Sequence, residues 1–92
     1  MTFILNKDYG GWSISEFAQE KLGVNTPYPQ MTDELTDKLA NLIYQFGSEA
    51  CSGHFANLVV VNITDACTDF EVNDYDGFET LTYVVDGKLY HA

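Results

Sequence analysis

Two cysteines and two histidines, Cys51, His54, Cys67 and His91, are the side chains best suited to ligate a metal or to attack a carbonyl. Four such groups suffice for a tetrahedral zinc site. However, Cys51-x-x-His54 is not a zinc-finger ligand spacing, and His91 falls in the last two residues, where fraying is expected. A Cys51–His54 nucleophile pair lacks the third group that would orient the base. Asp74-x-Asp76-Gly77 has the look of the middle of a calcium-binding loop. Aligned on the glycine, that loop would need oxygen ligands at Val72 and Tyr83, and neither residue supplies one. A looser cation site at Asp69, Glu71, Asp74 and Asp76 is the remaining option. Asp76 with Glu79 would act as a general-acid pair only if one carboxyl were desolvated, and solvated turn carboxylates are the expectation in so acidic a stretch. Gly10-Gly11 lacks the further glycine of a dinucleotide loop. No catalytic residue, metal or cofactor is assigned, and the chain is not read as an enzyme.

The pattern with more physical content is the run of carboxylates from Asp69 to Glu79. Asp69, Glu71, Asp74, Asp76 and Glu79 are five of the fourteen acidic residues, and no basic residue stands among them. Residues i and i+2 of a strand project from one face about 6.7 Å apart, twice the strand rise. Asp69 and Glu71 have that spacing, which is comparable to neighbouring phosphates on one nucleic-acid strand. Asp74, Asp76 and Glu79 are expected to extend the negative surface past the turn, and the helical Asp33, Glu34 and Asp37 to extend it further. These five residues are the candidate partner-binding site.

Charge narrows the partner. The net charge is −10, with four lysines and no arginine. Recognition of phosphate depends on arginine forks and basic patches, so direct binding of nucleic acid is disfavoured, and the tyrosines and tryptophan lack the basic neighbours that base-stacking surfaces use. An acidic surface repels anionic membranes and attracts basic proteins. Acidity that serves solubility alone is the competing explanation. No run approaches a membrane span and no basic, apolar leader is evident, so the expected location is the cytoplasm, with both cysteines reduced.

The elements that carry these residues follow from periodicity. Thr2 to Asn6 reads as a short buried strand. Ser13 to Leu22 reads as a helix with Ile14, Phe17, Ala18 and Leu22 on one face, capped by Ser13 or Ser15 and ended by Gly23. Pro27 and Pro29 mark an extended connector. Thr32 to Phe46 reads as a second helix: Thr32 can cap it, and Leu35, Leu39, Leu42, Ile43 and Phe46 form one stripe. A loop with a turn of helix near Cys51 leads to Asn57–Ile63, a β-branched run suited to a central strand covered on both faces. Asp69 to Tyr83 reads as a core hairpin joined at the tight turn Asp74-Tyr75-Asp76-Gly77, with Asp-Gly supplying the positive φ, and Asp86-Gly87 offers a second hairpin from Tyr83 to His91. Helices followed by strands imply an α+β fold. Residues 1–92 are expected to make a single small domain, a mostly antiparallel sheet of four to five strands with two helices packed on one face.

Two short motifs carry a resemblance. Asn6-Lys7-Asp8-Tyr9-Gly10-Gly11-Trp12-Ser13-Ile14-Ser15 resembles an N-terminal pattern in a family of small phage, prophage and bacterial proteins of unknown function, and Tyr75-Asp76-Gly77-Phe78-Glu79 resembles the turn near their C-terminus. The chain departs from the family at Thr64, where those proteins often carry proline. The resemblance implies a phage or prophage origin and the α+β fold, and it carries no catalytic residue across.

Together these readings predict a small acidic phage-type protein that occupies or inhibits a basic partner. That partner would be a protein such as a host nuclease or a DNA-binding protein of host defence, met in the host cytoplasm. The alternative is a homodimer built on an exposed strand edge.

Overall fold

The computed structural model describes residues 1–92. Two helices and one extra helical turn pack on a two-stranded ladder, whose other side meets a three-stranded sheet. The first helix, α1 (Glu16–Leu22), starts later than its apolar pattern allows. Ser13 and Ile14 are held elsewhere: the Ile14 amide donates to the Pro27 carbonyl (3.0 Å), the Gly53 amide donates to the Ser13 carbonyl (2.9 Å), and Ile14 bridges Ser52. Ser15 is therefore the N-cap, its Oγ accepting from the Ala18 amide (3.1 Å), and Gly23 closes the helix at φ 73°. The second helix, α2 (Asp33–Phe46), is capped as its sequence requires, with Thr32 Oγ1 accepting from the Leu35 amide (3.2 Å). A single turn, α3 (Ser48–Cys51), follows.

The five strands are all antiparallel, and the fold is α+β. They divide into two ladders: β1 (Thr2–Asn6) with β2 (Leu58–Asn62), and β3 (Cys67–Tyr75), β4 (Phe78–Val85) and β5 (Lys88–His91) in that order. The β-branched run around Val59–Val61 is therefore not a central strand, and one sheet does not span the domain. Side chains are the reason, because they occupy the positions a further strand would need. On the outer edge of β1, the Ile4 carbonyl accepts from the Trp12 indole (3.0 Å) and the Asn6 amide donates to Glu79 Oε1 (2.8 Å). On the outer edge of β2, the Leu58 amide donates to Ser52 Oγ (2.8 Å) and its carbonyl accepts from Ser48 Oγ (2.6 Å). Two serines one turn apart, Ser48 at the start of α3 and Ser52 at its C-cap, thus stand in for a strand residue and satisfy a buried backbone that would otherwise carry a desolvation cost.

Both hairpins turn on two residues with positive φ, Asp76-Gly77 (52° and 88°) and Asp86-Gly87 (52° and 75°). This is the mirror-image turn whose twist matches that of the strands.

The apolar interior lies in two clusters, one on each side of β1–β2. Ile14, Ala18, Leu39, Cys51 and Leu58 form the larger, between the helices and the ladder, with Ile4, Trp12 and Phe17 against it. Leu5, Ile63 and Leu81 form the smaller, between the ladder and the three-stranded sheet, with Phe3, Val61 and Tyr83 alongside. The Asp69–Tyr83 hairpin is not the core element its alternation suggested. Leu81 is its one buried residue, and Phe70 and Val72 are 47% and 42% exposed. The cause is coverage: only β4 lies alongside β3, and other elements reach it through side chains such as Phe3, so the apolar side of its edge is only partly overlaid.

Candidate functional site

Strand register decides where the five candidate carboxylates point. Asp69 pairs with Val84 and Glu71 with Thr82, whereas Asp74 and Glu79 stand directly opposite each other. Because side chains alternate between faces, Asp69 and Glu71 lie on one face of the sheet, and Asp74 and Glu79 lie on the other with Phe70, Val72 and Leu81. Asp76 sits in the turn between them. The single outward array expected from the sequence is thus not formed; a turn of two residues keeps Asp74 and Glu79 in register on the inner face. Both of these also have structural duties. Asp74 Oδ1 accepts from the Gly77 amide (2.8 Å), and half-buried Glu79 accepts from the Asn6 amide. The loose cation site at Asp69, Glu71, Asp74 and Asp76 is not assembled either, since no three acidic, His or Cys side chains converge anywhere.

Glu79 belongs to a lock between the Tyr9-Gly-Gly and Tyr75-Asp-Gly-Phe-Glu segments. Asn6, fully buried, donates through Nδ2 to the carbonyls of Asp8 (2.8 Å) and Gly77 (2.6 Å) and accepts at Oδ1 from the Asn57 amide (2.9 Å). Lys7 Nζ donates to the Glu79 carbonyl (2.7 Å) and lies 5.3 Å from the centre of the Phe78 ring. Tyr9 packs on Phe78 with ring centres 5.1 Å apart. Gly77 approaches the Gly11 backbone so closely that a Cβ would collide with it. The Tyr9-Gly-Gly and Tyr75-Asp-Gly-Phe-Glu segments, far apart in sequence, therefore fasten the N-terminal ladder to the tip of the hairpin. Their residue types are explained by packing and hydrogen bonding, with no chemistry required.

The lock holds β1 against β4, so that Phe3 of β1 reaches Phe70 of β3, and a groove of about 450 Å³ opens there. Phe3 and Phe70 line it edge to face, with centroids 5.0 Å apart. Its other wall is the first turns of α2, which present Asp33, Thr36 and Asp37. Asp33 and Asp37 are one helical turn apart, a like-charge spacing that weakens a helix by about 0.2–0.5 kcal/mol. Neither has a cationic partner. The ion pairs of the molecule are the exposed Lys38–Glu34 pair on α2 (3.1 Å) and the Met1 amino group with Asp65 (3.1 Å). Two carboxylates lining the same groove as two aromatic rings suit a flexible cation with an apolar stem, which is what a lysine or arginine side chain is. Asp69 and Glu71 flank Phe70 on β3 and continue the negative surface beyond the groove.

Phe3 and Phe70 are the residues that sequence reasoning missed as a site. The Asp33–Asp37 spacing was visible, but the contact across 67 residues that closes the groove has no local signal. The cysteines and histidines are dispersed. Cys51 is fully buried, and burial pushes its thiol up from its ordinary range, which makes it less reactive. His54 is exposed beside Phe55, Cys67 Sγ donates to the Asp69 carbonyl (3.1 Å), and His91 is exposed on β5. No helix is long and apolar enough to cross a membrane. Comparison with protein-family models, with curated proteins and with solved structures finds no match to this chain.

Proposed function

We propose that the chain is a small acidic binding protein that occupies a basic surface on a partner protein. The observation that carries this reading is the groove of Asp33, Asp37, Phe3 and Phe70, with Asp69 and Glu71 on the opposite face of the same strand edge, none of these carboxylates paired with a lysine. Fourteen acidic against four basic residues add long-range attraction, which raises the rate of encounter with a cationic partner. The reading is of a binder and not an enzyme. The Cys51 thiol is buried and raised, and Glu79 is committed to the Asn6 amide. The motif resemblance extends the proposal to a phage-type protein acting in the host cytoplasm on a basic host-defence nuclease or DNA-binding protein, where an acidic surface would stand in for nucleic acid.

The test is capture from host lysate by the wild-type chain and by the variant Asp33→Asn, Asp37→Asn, Asp69→Asn, Glu71→Gln, at low and high salt. The reading expects a basic protein that the variant loses and that salt releases. Equal capture by both, unaffected by salt, would count against it.

A second reading, homodimerisation with acidity serving solubility, is favoured by one observation: β3 leaves a long edge unpaired, with Phe70 and Val72 exposed on it. Light scattering separates the two, since this reading expects a dimer that the charge-neutral variant retains or strengthens.

A further inference from the structure

The free edge of β3 can be read in more detail than the charge alone allows. Leu81 exchanges both backbone hydrogen bonds with Ala92 (2.8 and 2.7 Å), so its amide and carbonyl point toward β5 and away from its β3 neighbour Val72. A strand residue turns both groups to one side, and the side alternates. The amides and carbonyls of Phe70, Val72 and Asp74 therefore point outward, away from the sheet, and no bond to them closes within the molecule. Elsewhere the chain occupies such positions: Trp12 and Glu79 do so on β1, and Ser48 and Ser52 on β2. Only the nine-residue β3 presents a bare ladder of this length.

We propose that this edge receives an extended, lysine- or arginine-bearing segment of the partner as an added strand, with one basic side chain entering the Phe3–Phe70–Asp33–Asp37 groove. The inference rests on the binding function proposed above and specifies its mode. Its geometry follows from alternation. A residue of the added strand opposite Phe70 directs its side chain to the face that Phe70 shares with Phe3, where the groove opens. The residues on either side of it in the added strand point to the other face, beside Asp69 and Glu71. An added strand thus meets carboxylates on both of its faces, while its backbone meets the outward groups of Phe70, Val72 and Asp74. A second copy of this chain is a poor occupant: pairing β3 with itself would bring Asp69, Glu71 and Asp74 of both copies together with no cation between them.

The experiment uses the whole chain and a synthetic peptide of alternating lysine and valine, about seven residues long to match a strand of ~20 Å. A control peptide keeps the same charges but is N-methylated at alternate residues, so it cannot donate to the edge. The expected result is binding of the first peptide with slowed hydrogen exchange at Phe70, Val72 and Asp74, and binding of the control weaker by ~10-fold or more. Val72→Pro removes one outward amide at an edge position that tolerates proline, and is expected to match that loss. If the variant does not fold, the control peptide alone decides. Equal binding of the two peptides overturns strand addition and leaves the acidic-binder reading standing. Failure of both peptides to bind at low salt overturns both. Protection of the three amides without peptide, together with a dimer in solution, overturns the choice of occupant.

Discussion

Replacing Asn6 tests the joint on which the groove depends. Its side chain is fully buried and satisfies three backbone groups on three segments, the carbonyls of Asp8 and Gly77 and the amide of Asn57. In Asn6→Ala all three lose their partner. Asp8 and Asn57 are exposed enough to recruit water, whereas Gly77 is half-buried with its Cα packed against the Gly11 backbone. With about 1–3 kcal/mol for each group left unsatisfied, and discounting the two that rehydrate, the expected loss is ~1–3 kcal/mol. A chain of this length holds roughly 5–14 kcal/mol in all, so the loss is a large share of it. Urea melts followed by circular dichroism read it directly, and a thermal melt should fall by ~4–8 °C per kcal/mol. The isosteric Asn6→Asp adds a sign. It turns a donor that faces two carbonyls into a carboxylate, which can stay only by holding its proton. Its pKa in the fold is therefore raised above the unfolded value, so the stability it contributes is full below the unfolded value of about 3.9 and is lost as pH rises through the folded one. Asn6→Ala should lack that additional fall. Losses below ~0.5 kcal/mol in Asn6→Ala, or an Asn6→Asp variant whose stability relative to Asn6→Ala does not fall with pH, would refute the claim that this residue fastens the ladder to the hairpin.

Other substitutions probe separate parts of the account. Gly77→Ala should destabilise more than Gly87→Ala: both turns impose positive φ, which costs about 1–2 kcal/mol for a residue with a Cβ, but only Gly77 lies against backbone. Equal losses in melts would mean that the Gly11 contact is dispensable. Asp37→Asn should raise stability by about 0.2–0.5 kcal/mol, by relieving the repulsion from Asp33, and weaken binding of a basic ligand, a combination that a merely structural residue would not show. A thiol reagent should modify Cys67 quickly and Cys51 only on unfolding. Because burial raises the Cys51 thiol, its contribution to stability is full below the unfolded pKa of about 8.5 and is lost as pH rises past it, so Cys51→Ala should flatten the alkaline fall in stability.

What the sequence makes legible is what neighbouring residues decide. Thr32 and Gly23 mark helix ends through bonds to groups a few positions away, and Asp76-Gly77 and Asp86-Gly87 set turns by their own φ preferences. The start of α1 was ambiguous because Ser13 and Ser15 are both competent caps; bonds from Pro27, Cys51 and Gly53 decide for Ser15, and they come from remote segments. The split into two ladders was not legible for the same reason. Trp12, Glu79, Ser48 and Ser52 reach sheet edges from elsewhere in the chain, and no periodicity records that. Alternation in β3 correctly separates Phe70 and Val72 from Asp69 and Glu71, but it cannot say that little would cover the apolar side. For the site, charge and the Asp33–Asp37 spacing were in plain view, and the division of Asp74 and Glu79 from Asp69 and Glu71 follows only once the turn fixes the register.

The central claim is that cations are drawn to one place on this acidic molecule and not to acidity in general. The direct measurement is a titration of isotope-labelled chain with short polylysine at low salt, following every backbone amide by NMR. The account predicts shifts concentrated at Phe3, Asp33, Asp37 and Asp69 through Asp74, fading as salt is added. Shifts of equal size at Glu16, Glu20 and Asp86, none of which lines the groove, would contradict it.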